Sequence, residues 1–138
     1  MLYLPMDFTS ILKPGLEAQK TGMATDKNAA STFGSGGLNV YATPAMIALM
    51  EAAALSAVDP LLPAGWSTVG TELNVKHISA TPLGMNVSAR AELLSIDGRA
   101  LSFKVEAFDE AGKIGEGVHG RFIIESEKFL KKTADKKK

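Results

Sequence analysis

The chain contains no cysteine, so it has no thiol nucleophile, no cysteine metal site and no disulfide frame, and its chemistry must rest on oxygen and nitrogen groups. Among those groups Glu51 stands apart, as the single charge in residues 45–58, a run of Ala, Met, Ile, Leu, Ser and Val. A carboxylate buried unpaired in such company is expensive, so Glu51 needs a partner, a proton or a water-lined cleft. Thr43 opens the same run. Its hydroxyl is of the kind that caps a helix start, and Pro44 fits the first helical position. On one helix Thr43 and Glu51 lie about 12 Å apart along the axis, out of direct hydrogen-bond reach. His77 falls in a strand-like stretch and reads, by itself, as an ordinary strand histidine. An imidazole nevertheless titrates near neutral pH and can serve as base or acid once an oxygen is brought to it.

The elements that must position these groups follow from the hydrophobic pattern. Residues 45–58 are apolar on every side, which predicts a central helix wrapped by other protein, with Asp59-Pro60 and Pro63 as its stop. Residues 16–26 fit a first strand, weakened by Gly22. Residues 28–37 are small and polar around Phe33 and read as a flexible loop of the kind that forms lids. A strand is expected from Gly65-Trp66 through His77 to Ser79. Val87, Ala89, Ala91 and Leu93 alternate with Ser88, Arg90 and Glu92, and Leu101, Phe103, Val105 and Ala107 alternate with Ser102, Lys104 and Glu106, giving two half-buried strands. Asp97-Gly98 is read as the tight turn between them, both central positions having positive φ. A last strand over 113–125 carries Gly115, Gly117 and Gly120, which imply a bulge, a bend or close approach by a ligand; His119 on it reads as structural. Met46, Met50 and Trp66 read as core or pocket wall.

One α+β domain over 1–130 results, a curved antiparallel sheet around one long helix, followed by a frayed basic tail over 131–138. Unpaired sheet edges favour a homodimer. Fifteen basic and fifteen acidic residues argue against binding nucleic acid by phosphate neutralisation. Residues 1–6 are apolar but short and lack a basic leader, so neither a signal peptide nor a membrane span is expected, and the cytoplasm is the default compartment.

This order resembles the hotdog fold, and Ala42-Thr43-Pro44-Ala45-Met46-Ile47-Ala48-Leu49-Met50-Glu51 resembles the helix start of the fluoroacetyl-CoA thioesterase family. Similarity continues through Val69-Gly70-Thr71-Glu72-Leu73-Asn74-Val75-Lys76-His77, Asp97-Gly98-Arg99 and Gly115-Glu116-Gly117-Val118-His119-Gly120-Arg121 to Phe129, covering residues 40–130. The resemblance implies hydrolysis of a short-chain acyl-CoA thioester, with CoA entering as part of the substrate and no separate cofactor or metal. It assigns catalysis to Thr43, Glu51 and His77 and substrate contacts to Gly70 and Arg121. Phe33, Gly37 and Met46 are expected to bound the acyl pocket. Where the family's fluoroacetyl-specific enzyme has a phenylalanine-rich lid, this chain has Phe33-Gly34-Ser35-Gly36-Gly37, so the likeness supports acyl-CoA hydrolysis better than a fluorinated substrate. Because His77 reaches only one of the two helix oxygens comfortably, a composite site drawing on both subunits is expected. A hotdog enoyl-CoA hydratase and a non-catalytic acyl-CoA binding protein are the alternatives.

Overall fold

A computed structural model describes residues 7–137; the apolar stretch 1–6 read above lies outside them. In chain order the main elements are β1 (Glu17–Met23), the single turn α1 (Ala30–Phe33), α2 (Thr43–Val58), β2 (Trp66–His77), β3 (Asn86–Asp97), β4 (Ala100–Asp109), β5 (Gly112–Glu125) and α3 (Ser126–Ala134). Among the described residues the strands form one antiparallel sheet in the order β1-β3-β4-β5-β2. The period-two pattern puts Val87, Ala89, Ala91 and Leu93 of β3 and Leu101, Phe103, Val105 and Ala107 of β4 in the core. They meet Met46, Met50, Ala53, Ala54, Ala57 and Val58 of α2. Burying a side chain the size of Phe103 is worth about 2–3 kcal/mol, and this face supplies most of what holds helix to sheet.

The structure departs from the sequence reading in five places. The helix α2 is not wrapped all round: a single sheet layer covers one side of it, and Leu55 remains 40% exposed, with Ala48 exposed and Ile47 part-exposed. With the turn after it, Thr43–Leu61 is long and apolar enough to cross a membrane, yet its inward stripe is the floor of the core. The β3–β4 turn is centred one residue later than expected. Asp97 pairs with Ala100, so the loop is Gly98-Arg99, and only Gly98 has positive φ, at 63°. Residues 28–37 are partly ordered by α1 and by a bridge between Ala29 and Tyr41. The chain after 125 continues as α3, with Glu127 in its first turn and Lys131 and Lys132 in its last, charges that suit the helix dipole.

The fifth departure shapes the site. On β5 the apolar Val118 and Phe122 face outward, 46% and 40% exposed, while His119 and Arg121 point into the core in phase with Ile123. The glycines of this strand answer to its neighbours. A Cβ at Gly117 would strike the Asn74 carbonyl on the paired strand, one at Gly115 would lie 2.8 Å from Met46 Cε, and one at Gly120 3.1 Å from Thr71 Oγ1. Close approach, by β2 and α2, is therefore one correct member of the expected set, and a bulge is another: Ala107 pairs with Gly115 and Phe108 with Lys113, so Ile114 is an extra residue on β5.

Candidate active site

The start of α2 is built differently from its sequence signature. Ala42 occupies the N-cap position and offers no side-chain cap, and Thr43 is the first helical residue. The Thr43 hydroxyl is thus free of capping duty and lies 2.7 Å from His77 Nδ1, at the last residue of β2. The other ring nitrogen, His77 Nε2, is buried without a hydrogen-bond partner among the described residues. Burial pushes the imidazole below its ordinary value; the Ser79 backbone favours the charged ring and partly offsets this without completing a hydrogen bond to Nε2. A cleft of about 230 Å³ opens here, lined by Thr43 and His77 with Ser35, Val40, Tyr41 and Ser79. Burial raises the Tyr41 phenol to about 12, so it stays protonated. Larger hollows at the β1–β3 edge and on the outer face of the sheet hold no histidine.

Glu51 lies elsewhere on α2, over the edge of β2 and β5. Its Oε2 is 4.0 Å from Arg121 Nη1, with the Glu51 side chain 39% exposed and that of Arg121 5%. The approach is possible because β2 has a glycine beneath: a Cβ at Gly70 would sit 2.7 Å from Glu51 Oε2. The β2–β5 register shifts between Gly70 and Glu72, and such a bulge re-aims the groups beside it. His119 joins this cluster. Its Nδ1 is 2.8 Å from the Glu72 carbonyl and its Nε2 is 3.2 Å from Arg121 Nη1. A carbonyl only accepts and a guanidinium only donates, so Nδ1 carries the proton and His119 is a neutral ring. Burial, the largest influence, and the Arg121 charge lower its protonation point, against the Glu72 carbonyl and Glu51.

Beneath Arg121 the network continues to the far end of α2. Arg121 donates from Nε to Thr68 Oγ1 at 2.8 Å and from Nη2 to the Thr68 carbonyl at 2.9 Å. Thr68 in turn donates from Oγ1 to Asp59 Oδ1 at 2.6 Å and from its backbone N–H to Oδ2 at 3.2 Å, and Ser67 Oγ donates to Oδ2 at 2.7 Å. Asp59 is the C-cap of α2. The helix is therefore tied to the same strand at both ends, by Thr43 to His77 and by Asp59 to Ser67 and Thr68.

Of the residues expected at a site, Thr43 and His77 come together, and Glu51, Gly70 and Arg121 form a second group. Phe33 is 52% exposed at the end of α1 and lines a separate apolar groove with Met23, Tyr41, Ala45 and Leu49. Gly37 is an exposed loop residue. Met46 is fully buried and packs toward Gly115, outside the lining of the Thr43–His77 cleft. The sequence reading gave Asp59 only the role of a helix stop, gave Thr68 no role beyond its strand, and took His119 as structural. The available signal was phase, since His119, Arg121 and Ile123 share a face at period two.

Both histidines are held below their ordinary value, and this has a sign. The folded state binds fewer protons than the unfolded chain as pH falls past about 6.5, so this contribution is complete above that value and is lost as pH drops through the folded-state values. The unfolding midpoint is expected to fall by several degrees between pH 7.5 and 5.5, with a shallower fall in His119→Asn. Scanning calorimetry across that range checks it, and a flat profile would contradict it.

Three comparisons bear on this geometry. The family model for fluoroacetyl-CoA-specific thioesterases matches residues 11–127. The fluoroacetyl-CoA thioesterase of Streptantibioticus cattleyicolor is 44% identical over 97 residues, 70% of each chain. A solved structure of a fluoroacetyl-CoA thioesterase superposes with a TM-score of 0.84 at 34% identity, covering 91% of this chain and 97% of that one. A hot-dog-like protein from Thermanaerovibrio acidaminovorans, 20% identical, superposes at 0.86 over 95% of this chain and 97% of its own, and extends the likeness of fold.

Proposed function

The chain belongs to the fluoroacetyl-CoA-specific thioesterase family, with the hotdog fold, and on that premise we propose that it hydrolyses a short-chain acyl-CoA at a site shared by two subunits, Thr43 and His77 coming from one and Glu51 from the other. The reaction is the family's, cleavage of an acyl-CoA thioester to carboxylate and free CoA, with CoA arriving as part of the substrate. The observation that carries the assignment is the 2.7 Å contact of Thr43 Oγ1 with His77 Nδ1, beside a buried Nε2 that has no hydrogen-bond partner among the described residues. An unpaired buried polar group costs about 1–3 kcal/mol. A carboxylate of the partner subunit at Nε2–H removes that cost and fixes the tautomer in which Nδ1 is the base.

In this reading Nδ1 takes the Thr43 proton as Oγ1 attacks the thioester carbonyl. The C–S bond breaks, and the proton on Nδ1 passes to the CoA sulfur. His77 then deprotonates a water that attacks the threonyl ester, and carboxylate leaves with Thr43 restored. The side-chain-uncapped N–H groups at the start of α2 suit the oxygen charge that develops. Gly70 and Arg121 hold the acyl end. In the assembled dimer Phe33 and Gly37 would flank its entrance and Met46 would back it from the core; without a phenylalanine-rich lid, the chain is read as an acyl-CoA hydrolase and not as one confined to a fluorinated substrate. The uncovered face of α2 and the edge strand β2 favour a second copy of the chain, since each carries surface that pairing would satisfy.

Free thiol should appear when the protein meets a panel of acyl-CoAs from acetyl upward, whereas water addition to an enoyl-CoA without thiol release would point to a hydratase. A mixture of His77→Ala and Glu51→Gln subunits, each inactive alone, should regain about a quarter of wild-type activity, because half the random dimers carry one intact shared site. No recovery on mixing would sink the shared site while leaving the hydrolysis standing.

A further inference from the structure

A guanidinium as buried as that of Arg121, 5% exposed, needs a standing counter-charge, and two carboxylates compete for the duty. Glu51 is at 4.0 Å and part-exposed. Asp59 is reached through Thr68, which donates to Asp59 Oδ1 at 2.6 Å while accepting Arg121 Nε at 2.8 Å. We propose that Asp59 and Thr68 are positioning residues of this enzyme: Asp59, through Thr68, supplies the permanent counter-charge of Arg121 and aims its remaining N–H edge at Glu51, so that the Glu51 carboxylate is not consumed in a closed ion pair.

The geometry supports each half of this. Nε and Nη2 of Arg121 are both spent on Thr68, one on the hydroxyl and one on the carbonyl, which fixes the plane of the fork. Nη1 is the nitrogen that faces Glu51 Oε2, at 4.0 Å, and it is shared with His119 Nε2 at 3.2 Å. Burial works against the Arg121 charge, and of the two acids supporting it Asp59 contributes more than Glu51. The charged and titratable groups around Glu51 are thus Arg121 and His119 from β5 and Asp59 from the end of its own helix. From β2 the bare Gly70 faces it, and Glu72 enters through its carbonyl. Without Asp59 the guanidinium has one carboxylate left to turn to, and closing on Glu51 takes that group out of the chemistry. The idea rests on Glu51 being the working carboxylate of the proposed site.

Three substitutions separate charge from hydrogen bonding. Asp59→Asn keeps an acceptor for Thr68 and removes the charge; Thr68→Val keeps the shape and removes the hydroxyl, and Thr68→Ser restores it. Asp59→Asn and Thr68→Val should lower kcat/KM by about tenfold or more, the scale of a misplaced group beside the reacting centre, and Thr68→Ser should stay within about twofold. A purely structural role would lower the melting temperature and leave kcat/KM per folded molecule unchanged. The second readout uses the protein without substrate. The Arg121 Nε–H resonance in a ¹⁵N–¹H spectrum, assigned by its loss in Arg121→Lys, should exchange slowly in wild type and Thr68→Ser, and at least about tenfold faster in Asp59→Asn and Thr68→Val, whose opened networks expose it. Wild-type kcat/KM in either folded variant, or an unchanged exchange rate, overturns the inference. If wild type releases no thiol from any acyl-CoA, it is the functional reading that fails, and the exchange measurement still decides the network.

Discussion

His77→Ala is expected to lower kcat/KM for acyl-CoA hydrolysis about a thousandfold, the size of effect a positioned general base supplies, with a melting temperature within a few degrees of wild type. The small stability change follows from the environment: the substitution removes a ring whose buried Nε2 has no partner among the described residues, along with the packing that ring provides. The pH profile gives a second check. Burial holds His77 below its ordinary value, so the ring is neutral and basic through neutral pH, and wild-type kcat/KM should be flat above pH 7 and fall only below about 6.5. The residual activity of the alanine variant should lack that acid limb. A variant that keeps both its rate and its limb would remove His77 from the mechanism.

Gly70→Ala should cost about a hundredfold in kcat/KM with little change in stability. The added Cβ would stand 2.7 Å from Glu51 Oε2, 3.3 Å from His119 Cε1 and 3.7 Å from Arg121 Nη1. Of these three, Glu51 is the one free to yield, being the end of a flexible side chain that is 39% exposed; His119 is locked between Glu72 and Arg121. The carboxylate moves, and a displacement of about 1 Å at a reacting group costs on the order of a hundredfold. Gly70 is not at positive φ, so alanine fits its backbone, and the smaller entropy of the unfolded chain returns about 0.4–1 kcal/mol against the local crowding. Steady-state kinetics beside a thermal melt decides it: an active variant would show that the Glu51 position is not used, and an unfolded one that Gly70 serves the fold.

Why some of this was legible in the sequence and some was not comes down to which interactions are local. The helix α2 announces itself through a Thr-Pro start and an unbroken apolar run, and β3 and β4 through strict alternation. Glu51 is conspicuous because nothing near it in sequence pairs with it. The β5 strand misleads for the opposite reason. Its large apolar residues Val118 and Phe122 face outward, and the inward positions are taken by His119 and Arg121, which a hydrophobicity pattern assigns to solvent. That inversion is sustained by Thr68 and Glu72 of the paired strand, residues about fifty positions away in the chain, and no periodicity within β5 reports them. Asp59 is similar: locally it is a helix stop, and only the fold of β2 against the end of α2 turns it into an anchor. Thr43 shows the limit of a capping signature, since a Thr-Pro pair marks the start without saying which residue caps, and here the hydroxyl is spent on His77 instead.

The two ties between α2 and β2 also bear on how such a chain can change over generations. Thr43 and Asp59 are separated by about 24 Å of helix, and Thr68 and His77 by about 30 Å of strand, and both ties hold only while each segment keeps the phase that turns its two tied residues toward the other. Adding or deleting one residue in α2 moves the far tie by about 1.5 Å and rotates it by about 100°, while one residue in β2 turns every later side chain to the opposite face. Insertions and deletions are therefore closed to both segments. New acyl groups have to be accommodated through substitution at these fixed positions, or through length change in the exposed residues 34–37 between α1 and α2.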